Sequence, residues 1–362
     1  VNEPSIMKAE ILNPPSSAFQ VAPDLKRTVT TSVLIGLLAG IGLALIVDTA
    51  DKRFRSPEEI QNQLALPVVG HIPVIGLQEN RAKTDAESDS NLDQSLITHF
   101  SPQGRTSEAY RAVRTALFFS ARGGHKVIQV TSPHAGDGKT TLAANLAICI
   151  AQSGKKTLLM EADFRRPRVH KIFGLDDSRG VSGAIAGSEE ITDVIQESGV
   201  ENLSVVACGP RPDNPAELLT SPRFEEMLSV MSEKFDVVIV DSPPLLAVTD
   251  PAVIAPRVDG VLLVMRLTKS ARKAAKRARE ILDSVGANVI GIVVNGVGSG
   301  GGYGYGYGRY RYGYGRYGYG YGYGYGYGYG YGSRRYEYSD KKYYREDGKK
   351  RKKLPKGEDV KP

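Results

Sequence analysis

The longest uninterrupted apolar stretch lies near the start of the chain. Thr28 to Val47 is a run of 20 residues without a charge. As a helix it would be about 30 Å long, the thickness of a bilayer's hydrocarbon core. Its apolar residues leave no polar stripe of the kind a soluble surface helix shows, so the pattern predicts a transmembrane helix over 28–47. Lys52, Arg53 and Arg55 follow the run, against Lys26 and Arg27 before it. That bias places the C-terminal side in the cytoplasm and residues 1–27 in an extracytoplasmic, membrane-proximal segment. Pro14, Pro15 and Pro23 make that approach extended. Gly36 and Gly40 form a GxxxG pair that permits close helix packing.

Residues 48–107 read as a cytoplasmic juxtamembrane segment and linker. One short apolar piece, Leu66 to Pro73, precedes a polar stretch from 78 to 107. From 108 to 300 the pattern becomes regular and reads as one domain. Nearly continuous apolar runs predict strands over Val127–Thr131, Thr157–Ala162, Leu203–Ala207, Val237–Asp241, Gly260–Arg266 and Val289–Asn295. Helix-length segments lie between several of them, at Thr140–Ser153, Ala216–Lys234 and Ser270–Ser284. Apolar runs without alternation belong to strands covered on both faces. The fold class is therefore α/β: a mostly parallel sheet with helices on both sides.

Residues 301–362 break this pattern. Of the chain's 19 tyrosines, 18 lie after Gly302, and from Tyr303 to Tyr331 the only other residues are glycine and three arginines. Such a run has maximal chain entropy and no contiguous apolar face, which predicts a disordered Tyr/Gly tail. The tail also holds 15 Lys and Arg against 6 Asp and Glu, so of the net charge of +7 it carries +9 and the first 300 residues −2. Nothing marks the folded body as a nucleic-acid binder. Cys149 and Cys208 sit in apolar stretches without paired spacing and read as reduced, buried residues of a cytoplasmic domain. The chain begins at Val1 with no signal peptide and reads as the later part of a longer protein.

Three motifs carry chemistry. Thr131 to Thr141 follows an apolar strand and opens a helix, with Gly138-Lys139-Thr140 as the second half of a phosphate-binding loop and Pro133 in place of its first glycine. Gly136, Asp137, Gly138, Lys139, Thr140 and Thr141 are the nucleotide-binding candidates: backbone N–H groups cradle phosphate, Lys139 reaches the β/γ oxygens and Thr140 holds Mg²⁺. His134 is the one histidine in this loop. Phe235 to Asp241 is an apolar strand ending in a carboxylate, the form of a Walker B segment, with Asp241 on the same Mg²⁺. The strand from Leu158 ends in Glu161-Ala162-Asp163 followed by Arg165 and Arg166. In an extended chain the two carboxylates point the same way, and one of them is placed to act as a base for an attacking hydroxyl or to join the metal.

These residues resemble the bacterial tyrosine kinases (BY-kinases) of the capsule and exopolysaccharide co-polymerase class. Glu161-Ala-Asp163-Phe-Arg165 is similar to the family's Walker A′ pattern of apolar-Asp-x-Asp-x-Arg, with glutamate at its first acidic position. Glu108, Arg111 and Arg114 fit its ExxRxxR oligomerisation motif, and Gly209 to Ser221 resembles its GxxPPNPxELLxS stretch. Asn295 stands where the fold places an adenine-contacting asparagine. The resemblance covers roughly residues 10–300, and the tail by composition. It implies an inner-membrane, ATP- and Mg²⁺-dependent protein-tyrosine kinase, with Lys139, Asp163 and Asp241 catalytic and Asp163 the candidate base. It also implies a first membrane helix and an extracytoplasmic domain ahead of this region.

The acceptors it implies are the chain's own tail residues, among them Tyr303, Tyr305, Tyr307, Tyr310, Tyr312, Tyr314, Tyr317, Tyr319, Tyr336, Tyr338, Tyr343 and Tyr344, modified in trans within a ring of subunits. The implied partners are further copies of the chain, polysaccharide synthesis and export machinery, and a cognate tyrosine phosphatase. Two other classes share some of these features. One is a non-kinase ATPase switch of the partition or septum-positioning type. The other is a scaffold assembled through Tyr/Gly repeats.

Overall fold

A computed structural model describes residues 24–50, 54, 57–74, 91–120, 124–268 and 270–297. The chain forms two units, residues 1–51 and 52–362. In the first, α1 (Leu25–Ala50) contains the predicted span and is long and apolar enough to cross a membrane. Its large apolar side chains are exposed, among them Ile35, Leu37 and Ile41. The tail lies outside the described residues, and with it every proposed acceptor tyrosine.

The second unit is built on an eight-stranded sheet in the order β1-β8-β7-β2-β6-β3-β5-β4. The strands are β1 (Val68–Pro73), β2 (Val127–Thr131), β3 (Thr157–Glu161), β4 (Gln196–Glu197), β5 (Leu203–Val206), β6 (Val237–Asp241), β7 (Gly260–Arg266) and β8 (Val289–Val297). Every pairing is parallel except that of β4 with β5. The six apolar runs read from the sequence are all strands, to within two residues at their ends.

The period of two along each strand divides the interior. Ile128, Val130, Leu159, Ile239 and Leu262 face one side, where α4 (Arg105–Ser120) and α5 (Lys139–Ala151) cover them through Val113, Leu117, Leu146 and Ile150. Their neighbours Val127, Leu158, Met160, Val238 and Val240 face the other side, under Phe224, Met227 and Met231. On that same side Val261, Leu263, Ile292 and Val294 pack with Ala275, Ala278 and Leu282 of α11 (Ala271–Ser284) and with Ile60 and Leu64 of α2 (Pro57–Leu64). Each buried aliphatic side chain contributes about 1.5–3 kcal/mol of transfer free energy, so the two covered faces give the sheet its stability.

The shorter helices are α3 (Ile97–Phe100), α6 (Val169–Phe173), α7 (Val181–Ala186) and α10 (Asp250–Ile254), and α11 spans Ala271–Ser284. The predicted helix over 216–234 is two helices, α8 (Pro215–Thr220) and α9 (Pro222–Lys234). Between them Ser221 is extended, with φ −67° and ψ 148°. Pro222 causes the break: it lacks an N–H and keeps the residue before it out of the helical region.

Two stretches of the expected linker belong to the folded unit. Residues 68–73 form the edge strand β1 beside β8. Residues 95–98 dock on α5 through the buried Asn145, whose side-chain oxygen accepts the Thr98 N–H at 3.0 Å while its nitrogen donates to the Ser95 carbonyl at 2.9 Å. Ile72 is 1% exposed in the same core as Val113 and Leu117. Ile72→Ala is expected to cost about 2–5 kcal/mol, seen in urea unfolding as a lower midpoint with an unchanged slope. An unaltered midpoint would mean that β1 does not hold to the sheet.

Candidate active site

The parallel register places the carboxyl ends of β2, β3 and β6 side by side. Glu161 and Asp241 are direct partners across β3 and β6, and Val130 pairs with Asp241 across β2 and β6. A site therefore opens where strands of an α/β sheet present their C-terminal ends. Two polar residues, Gln129 inside β2 and Ser242 just past the end of β6, hold this corner. Gln129 donates to Ser242 Oγ at 2.8 Å, and Ser242 Oγ donates to the Val130 carbonyl at 3.1 Å. A glutamine within Val-Ile-Gln-Val-Thr was the sequence signal for this pair, and its use became visible only with the register.

The loop from Ser132 to Gly138 connects β2 to α5. Its internal bonds are short: Ser132 Oγ donates to the His134 carbonyl at 2.8 Å, and Asp137 Oδ2 accepts the His134 N–H at 3.0 Å. Gly136 and Gly138 have φ of 88° and 92°, in the left-handed region that glycine alone enters without strain. A Cβ at Gly138 would also meet Asn295 Nδ2 at 2.1 Å. Asn295, from β8, donates through that nitrogen to the Asp137 carbonyl at 2.8 Å. Burial pushes the Asp137 carboxyl up to about 6, against the His134 N–H, which lowers it.

Lys139 begins α5 and reaches into the carboxylate corner. Its ammonium donates to Asp163 Oδ2 at 2.7 Å and lies 3.8 Å from Asp241 Oδ1 and 3.1 Å from Thr140 Oγ1. Burial alone would lower the Lys139 pKa, but Asp163 and Asp241 outweigh it and hold the group charged. Asp241 is pushed up to about 7, first by burial and then by Asp163, while Lys139 pulls it down. Both Asp241 oxygens are buried without a hydrogen-bond partner among the described residues. A hydroxyl beside carboxylates, with two orphaned buried oxygens, is a donor set suited to Mg²⁺.

The two acidic residues at the end of β3 separate. Asp163 meets Lys139 and accepts the Arg166 N–H at 3.0 Å through Oδ1. Glu161 turns to the start of α6, where Oε1 accepts the N–H of Val169 at 2.8 Å and that of Arg168. Arg165 leaves the corner for the buried Asp250, through Nε at 2.9 Å and Nη2 at 3.3 Å. Asp250 was not foreseen; before Pro251 it reads as an ordinary helix-start acid. In α4, Arg111 bonds to Glu108 one turn away and to the Pro102 carbonyl, and Arg114 donates to the Cys149 carbonyl at 2.9 Å.

A glycine-turned loop, a lysine and two strand-end carboxylates on a parallel sheet define a P-loop NTPase. The ParA family profile, described as NUBPL iron-transfer P-loop NTPase, matches residues 124–299. Tyrosine-protein kinase YwqD of Bacillus subtilis is 36% identical over 208 residues, covering 57% of this chain and 88% of that protein. Tyrosine-protein kinase ptk of Acinetobacter johnsonii is 33% identical over 280 residues, covering 76% of this chain but 38% of that protein. The solved kinase domain of Escherichia coli tyrosine kinase ETK matches with a TM-score of 0.62 at 32% identity, covering 69% of this chain and 96% of that one. The chain belongs to the bacterial tyrosine-protein kinase family.

The raised Asp241 has a measurable consequence. Its folded-state pKa of about 7 lies above the unfolded value of 3.8, so folding favours the protonated acid. This group's contribution to stability then falls as pH rises from about 4 to about 7 and stays low above that. Asp241→Asn is expected to raise the thermal midpoint at pH 8 in Mg²⁺-free buffer, with the gain fading towards pH 4. A gain that does not vary with pH would rule out this origin.

Proposed function

We propose that the chain is the kinase part of an inner-membrane, ATP-dependent protein-tyrosine kinase that phosphorylates its own C-terminal tyrosines in trans. Through that modification it regulates capsular or exopolysaccharide synthesis and export. The observation that carries this reading is the buried Lys139–Asp163–Asp241 cluster behind a phosphate loop, in a chain of this family with 18 tyrosines after Gly302. The apolar, exposed surface of α1 supports a membrane anchor, because such a surface is stable in lipid and costly in water.

Bound Mg·ATP supplies the γ-phosphoryl group and the positive charge that neutralises its oxygens. The chain's residues do the rest. N–H groups of Gly136 to Thr141 bind the phosphates, and Lys139 exchanges Asp163 for phosphate oxygen. Thr140, Asp163 and Asp241 hold the ion, and Asn295 exchanges the Asp137 carbonyl for the adenine. Asp163, released by Lys139, takes the proton of the attacking tyrosine, whose phenol has a pKa of about 10 and is protonated at neutral pH. Glu108, whose side chain is 63% exposed, with Arg111 and Arg114 forms the contact to a neighbouring subunit that delivers a tail in trans.

Incubation of the chain with Mg·ATP, followed by mass-spectrometric mapping, is expected to place phosphate on tail tyrosines. Lys139→Met and Asp163→Asn should each lower the rate by about 10²-fold or more. ATP hydrolysis without phosphotyrosine would favour the one rival the ParA match supports, a nucleotide switch without phosphoryl transfer. Charge adds a second test. Each phosphotyrosine adds about −1.5 to −2, so roughly six cancel the tail's +9. The phosphorylated chain is expected to form smaller oligomers in light scattering than the dephosphorylated chain, and equal masses would sink this switch.

A further inference from the structure

Glu161 uses only one of its oxygens in holding α6. Oε2 is fully buried and has no hydrogen-bond donor among the described residues. Facing it at 3.6 Å is His170 Nδ1, also buried and without a hydrogen-bond partner among the described residues; the Glu161 carboxylate raises its pKa. A third group completes the arrangement: Asp177 Oδ2 lies 3.5 Å from the same nitrogen. Asp177 is held there because its Oδ1 accepts the Gly209 N–H at 2.9 Å. The three donor atoms lie within 4.8 Å of one another.

The spacings discriminate between two explanations. A protonated His170 donating to either carboxylate would bring nitrogen and oxygen to about 2.7–2.9 Å. Neither pair is that close. Two ligands each about 2.1 Å from one tetrahedral ion lie about 3.4 Å apart, which is the spacing seen on both sides of His170. One imidazole with two carboxylates suits a divalent transition metal better than Mg²⁺, whose preferred ligands are oxygens. Glutamate at 161, where the family pattern has aspartate, carries the carboxylate one methylene farther from the strand, towards His170.

We propose that Glu161, His170 and Asp177 form a second metal site, binding one divalent transition-metal ion of the Zn²⁺ type with water completing its shell. The ion ties the end of β3 to α6 and, through Asp177, to the loop at Gly209. It gives the orphaned Glu161 oxygen and the His170 nitrogen the partner they lack. The site does not depend on the kinase reading, since none of its three ligands takes part in the proposed phosphoryl transfer.

The test uses the whole chain, stripped with chelator and free of nucleotide, titrated with Zn²⁺ alone by calorimetry. Metal content after gel filtration gives the stoichiometry. One tightly held equivalent is expected, weakened at least about 10-fold in His170→Ala and in Asp177→Asn. Asp177 is a loop residue with a side chain 28% exposed, and asparagine keeps the acceptor for Gly209, so this variant decides the matter even if His170→Ala fails to fold. A Thr140→Ala/Asp241→Asn double variant should keep the ion. The proposal is overturned if the wild type takes up no Zn²⁺, if Asp177→Asn binds as tightly as the wild type, or if the double variant loses the ion.

Discussion

Two carboxylates cannot be buried together without a cation, and the Lys139 ammonium between Asp163 and Asp241 answers that constraint. The β3–β6 register pairs Glu161 with Asp241, the chain leaving β3 brings Asp163 to the same corner two residues later, and Lys139 follows the turn at Gly138 to meet them. With both acids ionised the cluster carries one negative charge more than positive, and neither Asp241 oxygen has a hydrogen-bond partner among the described residues. A corner so poised attracts further positive charge and gives it fixed ligands. Burial, which destabilises Asp241 when ionised, is also what makes the corner selective for a cation.

Much of the sheet was legible because covered strands must be apolar throughout. Val127–Thr131, Val237–Asp241 and Gly260–Arg266 have the bounds their composition indicates. β1 was hidden by its flanking prolines, by His71 and by register shifts against β8. Its strand character comes from a partner more than 200 residues away, which no local pattern reports. β4, with two residues, is below what periodicity can detect. The break at Ser221–Pro222 follows from proline chemistry, whereas the length of the segment between strands indicates a single helix.

At the site, Lys139, Thr140, Asp163 and Asp241 converge because each lies at or within two residues of the end of a regular element, so the motif spacing translated directly into proximity. Glu161 is the instructive exception. Alternation along an extended strand put it beside Asp163, but β3 ends at Glu161 and the backbone turns there. The free N–H groups at the start of α6 then captured its carboxylate. Asn295 was placed by analogy at the base of a nucleotide, and the structure gives it a bond to the loop itself. Asp250 illustrates the opposite limit, a buried partner for Arg165 supplied by a segment with no motif of its own.

The bond from Asn295 to the Asp137 carbonyl fixes the root of the tail to the phosphate loop. How far the residues beyond it can lie is bounded by covalent geometry. Tyr303 is eight residues beyond Asn295 and can stand no farther than about 28 Å from it; Tyr344 is 49 residues beyond and can range to about 170 Å. The phenols thus form a graded series of radii about each active centre. The upper bound on reach therefore grows about sixfold from the first of these tyrosines to the last.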